Sequence, residues 1–195
     1  MRPYRIGLMG VHSMIDYPYF LRMGVQNTLD EAGHTLVPIA ELLPYHFLRN
    51  ADSYLQVVVE VACRLDLDAV IYPVGCMAAY LRESDPMAAL ELARAMNPRN
   101  TIILERELPG YRCVTKDNTP GMHECMRYLI EDRGFTRIAF ISGAASSKGA
   151  QEREGVFFQE MEAHGLEVPS SCFARGNFAG TCPEVVERVL DENPG

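Results

Sequence analysis

The stretch Arg137–Ile141, with the sequence RIAFI, is the clearest strand signal in the chain. Isoleucine and phenylalanine favour β-structure, and polar residues flank the run on both sides. The small polar segment Ser142–Gly149 comes next, and an amphipathic stretch from about Ala150 to His164 follows it. This order of strand, loop and helix is typical of half a βαβ unit. We therefore predict a core strand at Arg137–Ile141, followed by a helix.

The same alternation extends over the rest of the chain. Further strands are predicted at Tyr4–Met9, Thr35–Ile39, Asp68–Tyr72, Thr101–Leu104, Cys113–Thr115 and Cys172–Ala174. Helices are predicted at about 18–32, from Asp52 or Ser53 onward, at Pro86–Met96, at Thr119–Gly134 and at Pro183–Asp191. The second of these helices carries Val58, Val59 and Ala62 on one face. The helix from Thr119 is expected to turn Met122, Cys125, Met126 and Leu129 inward. Alternation of this kind predicts an α/β fold whose parallel sheet is covered on both faces. A polar break at Glu105–Tyr111 divides the chain into lobes 1–107 and 108–195.

Composition restricts the class of protein. The 195 residues are 48% hydrophobic and 23% charged, which is typical of a globular protein. The formal net charge of −8 disfavours binding to anionic partners. We therefore expect no direct contact with nucleic acid or membrane, and the N-terminus lacks the pattern of a signal peptide. Six cysteines are scattered without a C-x-x-C pair. Reduced thiols, no metal site and a cytoplasmic location are the expectation.

Several ordered segments resemble the effector-binding region of LacI/GalR-type regulators, which is related to type I periplasmic binding proteins. These segments are Arg5–Gly10 (RIGLMG), Tyr17–Phe20 (YPYF), Asp68–Pro73 (DAVIYP), Ile103–Gly110 (ILERELPG), Val114–Gly121 (VTKDNTPG), Arg137–Gly143 (RIAFISG) and Gly165–Pro169 (GLEVP). The resemblance covers the whole chain. It implies a two-lobed parallel-sheet sandwich, a small effector held in the cleft, lobe closure on binding and a homodimer.

The resemblance also implies which residues line the ligand site. Tyr17 and Tyr19 follow the first strand, and an aromatic face can stack on a sugar or a base, whereas Phe20 is expected in the core. Arg153 lies near the start of the helix after RIAFISG, where its guanidinium could bind adjacent hydroxyls or a carboxylate. Asp117 matches the family's Asp-Asn pair, and it could instead cap the following helix.

Three more residues complete the predicted ligand site. Arg106 stands in the family's Asp-Arg position, where Glu105 replaces the aspartate, and Cys76 and Ser147 lie in loops after strands. Cys76 and Cys182 also leave open a cysteine-dependent, racemase-like enzyme, since a thiol at a helix N-terminus is activated. No base stands beside either cysteine in the sequence, and neither a G-x-G-x-x-G nor a P-loop motif occurs. We expect no catalytic residue and no cofactor.

The chain differs in extent from the regulators that it resembles. The family begins with a DNA-binding helix-turn-helix and continues beyond the segment matching Val185–Pro194. We therefore expect a fragment with an incomplete second lobe, sensing a sugar- or nucleoside-like effector. Its parent would be a transcriptional regulator, or a signalling protein with an output domain such as a diguanylate cyclase.

Overall fold

The computed structural model describes residues 2–10, 17–39, 51–75, 90–145, 147–176 and 182–193, with only the backbone of 51–55. The chain divides into two compact units, Met1–Thr115 and Lys116–Gly195. All strand pairs described in either unit are parallel, so the predicted α/β class with a parallel sheet is confirmed. Among the described residues, no helix is both long and apolar enough to span a membrane.

The first unit is built on a five-stranded parallel sheet with the order β2-β1-β3-β4-β5. Its elements are β1 (Arg5–Met9), α1 (Tyr17–Glu31), β2 (Thr35–Ile39), α2 (Ala51–Arg64), β3 (Ala69–Pro73), a 3₁₀ turn (Ala93–Ala95), β4 (Thr101–Leu104) and β5 (Arg112–Val114). The inner strands are rich in β-branched residues because parallel strands are buried on both faces. These strands and helices lie within a few residues of their predicted positions.

The core of the first unit joins the sheet to α2. Val58, Val59 and Ala62 are buried against it, as their spacing predicts. Tyr72 on β3 has no exposed surface, and this burial raises the pKa of its hydroxyl above the ordinary value. The hydroxyl of Tyr111 lies 2.9 Å from the carbonyl oxygen of Met96, which fixes the loop before β5 on the core.

The second unit contains a two-stranded parallel sheet and three α-helices among its described residues. Its elements are α3 (Thr119–Arg127), a π-helical turn (Tyr128–Asp132), β6 (Phe140–Ser142), α4 (Lys148–Ala163), a 3₁₀ turn (Ser170–Cys172), β7 (Phe173–Arg175) and α5 (Pro183–Asp191). Met126, Phe157 and Met161 form its buried core. The ring of Phe140 stacks on that of Phe157 with 4.9 Å between their centroids.

The strand predicted at Arg137–Ile141 is displaced in the structure. Strand β6 begins at Phe140 because the ladder with β7 starts at the pair Phe140–Phe173. Arg137 instead donates a hydrogen bond to Oδ1 of Asn193 at 2.8 Å. Ile141 is 39% exposed, whereas Phe140 packs against the core and Ser142 is buried, so only part of the predicted core strand faces inward. Within the described residues, β6 has one neighbouring strand, which leaves one of its edges without a packing partner.

Two further expectations differ from the structure. Helix α3 ends at Arg127 and continues as a π-helical turn, and Cys125, in the last turn of α3, is exposed rather than inward. Met126 is buried as predicted. The sequence places the lobe boundary at residues 107/108, whereas the division of the structure falls after Thr115. The later division arises because β5 pairs with β4 and so remains in the first sheet.

The aromatic core of the second unit yields a stability prediction. Phe157→Ala should lower the free energy of unfolding by about 3–5 kcal/mol, since a fully buried ring is lost and a cavity remains. Phe135→Ala, which removes a ring that is nearly half exposed in the same unit, should cost clearly less. Urea unfolding followed by circular dichroism measures both. Equal losses for the two variants would contradict this assignment of the core.

Candidate functional site

The carboxyl ends of β3 and β4 form the first candidate site. Gly75 follows β3 by two residues, and Glu105 and Arg106 follow β4 directly. Because β3 and β4 are parallel neighbours, these ends lie at the same edge of the sheet. Open parallel sheets bind their ligands at this edge. The geometry of Gly75 and Glu105 therefore determines what that edge offers to a ligand.

Glu105 has an unusual backbone conformation. Its φ is 71°, and no other described residue except glycine has a positive φ. Its amide donates a hydrogen bond to the carbonyl oxygen of Val114 at 2.9 Å, which fixes this conformation against β5. A non-glycine residue in this region costs on the order of 1–3 kcal/mol, and such strain is concentrated at functional sites. The Glu105 side chain lies across the end of the sheet against Gly75, which follows β3.

Gly75 provides the space that the Glu105 carboxylate occupies. A Cβ atom at position 75 would lie 2.9 Å from Cδ of Glu105, and it would overlap one carboxylate oxygen. Glycine therefore permits this close approach of the Glu105 side chain, and it does not have a positive φ. The pair places a partly buried carboxylate at the edge where a ligand would bind, and a carboxylate accepts hydrogen bonds from hydroxyl or amino groups.

The other predicted residues of the first unit lie at different depths. Arg106 is partly buried beside Glu105, whereas Tyr17 and Tyr19 are exposed at the start of α1. Phe20 is 69% exposed, so its predicted place in the core is wrong. The ring of Phe20 contacts that of Tyr19 with a centroid distance of 5.5 Å, and both rings face outward on α1. Cys76 lies outside the described residues.

In the second unit, two predicted ligand residues accept local hydrogen bonds at the starts of helices. Ser147 is the N-cap of α4, and its hydroxyl accepts a hydrogen bond from the amide of Ala150 at 3.3 Å. Oδ1 of Asp117 accepts from the amide of Thr119 at 2.9 Å and from its hydroxyl at 2.6 Å. These bonds, chiefly the hydroxyl's, lower the pKa of Asp117. Asp117 thus bonds to the first residue of α3, whose N-cap residue is Asn118 without a capping bond from its side chain.

Arg153 takes part in a network that joins the starts of α3 and α4. Its guanidinium donates to Oδ1 of Asn118 at 3.4 Å, and the Asn118 amide donates to Oε2 of Glu152 at 2.7 Å. A Cβ at Gly149 would lie 3.1 Å from Nδ2 of Asn118, so glycine permits this close contact. Lys148 lies 3.7 Å from Glu152 and adds a second cation. The network brings Arg153 near Asp117 and Ser147, at one end of the second unit.

Two observations concern the chemistry of the carboxyl ends of β6 and β7. The Ser142 hydroxyl is buried and has no hydrogen-bond partner among the described residues, and the amide of Gly176 donates to the Ser142 carbonyl oxygen at 2.8 Å. Cys182 precedes α5 as its N-cap residue, without a capping bond from its side chain. In the described part of the chain, no cluster of three His, Cys, Asp or Glu side chains could hold a metal ion.

Sequence reasoning considered Glu105 as a replacement in a motif and missed its strained backbone. The letters ERELPG show a loop after a strand, but a positive φ at a glutamate depends on the pairing of β4 with β5. The packing of Gly75 against Glu105 was also missed, since the two residues are far apart in sequence. A glycine directly after a strand was the available signal.

Glycine and alanine at position 105 should differ in stability. Both substitutions remove the carboxylate, but only glycine relieves the positive φ, so Glu105→Gly should be more stable than Glu105→Ala by about 1 kcal/mol. Urea unfolding midpoints of the two variants test this difference. An alanine variant as stable as the glycine variant would show that residue 105 is unstrained.

Comparisons with known proteins agree with this architecture. No protein-family model matches the chain. The HTH-type transcriptional regulator DegA of Bacillus subtilis (strain 168) is 29% identical over 129 residues, which is 65% of this chain and 36% of DegA. The chain thus spans little more than a third of that curated relative.

Solved structures match over nearly the whole chain. A sugar-binding LacI-family regulator from Escherichia coli, complexed with phosphate, has a TM-score of 0.67 at 19% identity and covers 97% of this chain and 64% of its own. CcpA of Lactococcus lactis gives 0.70 at 16%, covering 98% and 66%. A CelR–cellobiose complex gives 0.68 at 19%, covering 97% and 56%. The resemblance read from the sequence is confirmed, and the chain has the parallel-sheet α/β fold of LacI-family transcriptional regulators.

Proposed function

We propose that this chain is the effector-sensing part of a transcriptional regulator and that its effector is a small sugar- or nucleoside-like molecule. The strained Glu105 at the carboxyl edge of the first sheet carries the proposal. Backbone strain is concentrated at functional sites, and the Glu105 carboxylate packs over Gly75 at the edge where open parallel sheets bind their ligands. A polar ligand would use this carboxylate as a hydrogen-bond acceptor.

The comparisons support a sugar among the two ligand classes. Two of the similar structures are described as a sugar-binding regulator and as a cellobiose complex. Sugars present several hydroxyl groups, which can donate to the carboxylate of Glu105, and apolar faces, which can stack on Tyr17 or Tyr19. Arg106 would supply donors to the sugar oxygens at this edge of the first sheet, and Arg153, Ser147, Asp117 and Cys76 stay predicted contacts.

Effector binding would act by shifting the populations of two conformations. A ligand can shift such an equilibrium only by its difference in affinity for the two states. Lobe closure is the conformational change that the resemblance implies, and it remains part of this proposal. Contact with DNA would belong to another part of the parent protein, which would act in the cytoplasm. The module itself has no catalytic step in this account, and the similar proteins named above, which are transcriptional regulators, do not favour the racemase-like alternative.

The ligand proposal predicts stabilisation by a sugar and a specific dependence on Glu105. Cellobiose, other simple sugars and nucleosides should be screened by thermal shift. A compound that binds should raise the melting temperature, because a ligand at 100 times its Kd stabilises the folded state by about 2.7 kcal/mol. Glu105→Gln should abolish or greatly reduce the shift that the active compound gives. Glu107→Gln, a charge-matched change at an exposed neighbour, should leave the shift intact.

Two outcomes would contradict the ligand proposal. One is the absence of a shift with every compound, when the unfolding transition shows that the protein is folded. The other is an equal loss of the shift in the Glu105→Gln and Glu107→Gln variants, because that result would make the effect one of general charge rather than of the site.

A second copy of the chain is the protein partner that we propose. Val57, Val61 and Leu65 recur every four residues on the outer side of α2 and just beyond it, with exposures of 55%, 43% and 38%. The amide of Leu65 bonds to the carbonyl oxygen of Val61 at 3.1 Å, so the stripe is continuous. Glu60 and Arg64 flank it with opposite charges. A two-fold axis across α2 would let each charge face its opposite in the other copy.

Val61→Lys should reduce dimerisation, since it introduces a charge into the middle of the exposed stripe. Sedimentation equilibrium of the wild type should give about twice the 21.8 kDa of one chain, and the variant should shift toward the monomer mass. Val114→Lys, at an exposed valine of β5 in the same unit, should keep the wild-type mass. A monomeric wild type, or a Val61→Lys variant with an unchanged mass, would contradict dimerisation through α2.

A further inference from the structure

A chain of four titratable side chains lies at the carboxyl end of α4 in the second unit. Nδ1 of His123 on α3 lies 2.5 Å from Oε1 of Glu160. Nδ1 of His164 lies 2.8 Å from the carbonyl oxygen of Glu160, and its Nε2 lies 3.1 Å from Oε1 of Glu131 in the π-helical turn. These contacts connect α3, the π-helical turn and the end of α4, and the ligand site proposed above uses none of them.

The contacts of His164 require a particular protonation state. Both of its ring nitrogens face acceptors only, a backbone carbonyl oxygen and a carboxylate oxygen. A neutral imidazole has one donor and one acceptor, so it can satisfy one of these contacts at a time. The imidazolium has two N–H donors and satisfies both. His123 differs, because a neutral ring can donate from Nδ1 to Glu160.

The position of His164 in the helix also favours the charged ring. His164 is the C-cap residue of α4, where the helix dipole places a partial negative charge. Its side chain is about three-quarters buried, and that of Glu160 is more deeply buried, so solvent screens these interactions only in part.

We propose that His164 is a proton-dependent latch that fastens the π-helical turn Tyr128–Asp132 to the carboxyl end of α4. Protonation completes the bond to Glu131 while the bond to the Glu160 carbonyl is kept, and loss of the proton releases one of the two. The latch thereby makes the stability of this end of the second unit depend on pH near neutrality. This proposal is independent of the proposed ligand and of dimerisation.

The charged groups around the latch act in the direction that the proposal needs. Hydrogen bonds to the Glu160 carbonyl and the Glu131 carboxylate raise the pKa of His164 above its ordinary value, and the charges of Glu131 and Glu160 act in the same direction. From α3, His123 faces Glu160, while the guanidinium of Arg127 is turned to the carbonyl oxygen of His123 at 3.5 Å. A group whose pKa is raised by folding stabilises the folded state below its unfolded pKa. That stabilisation is lost as the pH rises through the folded pKa.

Hydrogen exchange of the full chain reads the latch locally. The amides of Arg133, Gly134 and Phe135 donate to carbonyl oxygens of the π-helical turn at 3.0–3.1 Å, so their protection reports on its opening. After correction for the intrinsic exchange rates, protection at these amides should rise severalfold from about pH 8 to about pH 6. His164→Gln should remove this pH dependence, since an amide does not titrate.

Two further variants separate the latch from other causes. His34→Gln, which replaces a histidine of the first unit whose Nδ1 accepts from the amide of Tyr4, should keep the wild-type pH dependence. Glu131→Gln leaves His164 in place but removes the charge of its acceptor, so it should weaken the dependence and provides a second test if His164→Gln unfolds. Flat protection between these pH values in the wild type would overturn the proposal. An unchanged pH dependence in both His164→Gln and Glu131→Gln would overturn it too.

Discussion

Parallel pairing is the constraint on which both units depend. Two parallel strands cannot be joined by a tight turn, so the chain must cross back over the sheet between them, and α1, between β1 and β2, lies in such a crossover. Parallel sheets also bury both faces, which explains why β3 and β4 consist almost entirely of apolar residues. The same arrangement brings all carboxyl ends of the first sheet to one edge, where the candidate ligand site lies.

The strands and helices of the first unit could be predicted from the sequence because its signals are local. Short runs such as TLVPI and TIIL are bounded by turn residues, and the three buried residues of α2 recur at helical spacing. The second unit was harder to predict. RIAFI has strong β-propensity, yet a strand forms only where another strand pairs with it, and the partner β7 begins opposite Phe140. Cys125 lies just before a change of helical pitch that periodicity does not reveal.

The candidate site could be predicted in position but only partly in detail. Knowing that ligands bind at strand ends was enough to select Arg106, Ser147 and Asp117 as polar residues near such ends. The sequence could not separate recognition from capping, because serine and aspartate serve both purposes at a helix start. In the structure, Ser147 caps α4, Asp117 accepts from the amide of Thr119 at the start of α3, and Arg153 is bonded to Asn118. The strain at Glu105 arises from long-range pairing, which a single sequence does not display.

The contact between Gly75 and Glu105 has a consequence for how this protein can evolve. The carboxylate occupies the space into which a Cβ at position 75 would extend, so a larger residue at 75 requires the Glu105 side chain to move. An alanine or serine at 75 is compatible only with a shorter or displaced side chain at 105, and a glycine at 105 would remove the restriction. Among homologous sequences, these two positions should therefore covary in volume although they are thirty residues apart. Relatives in which both residues have changed would be those with altered chemistry at this edge of the sheet.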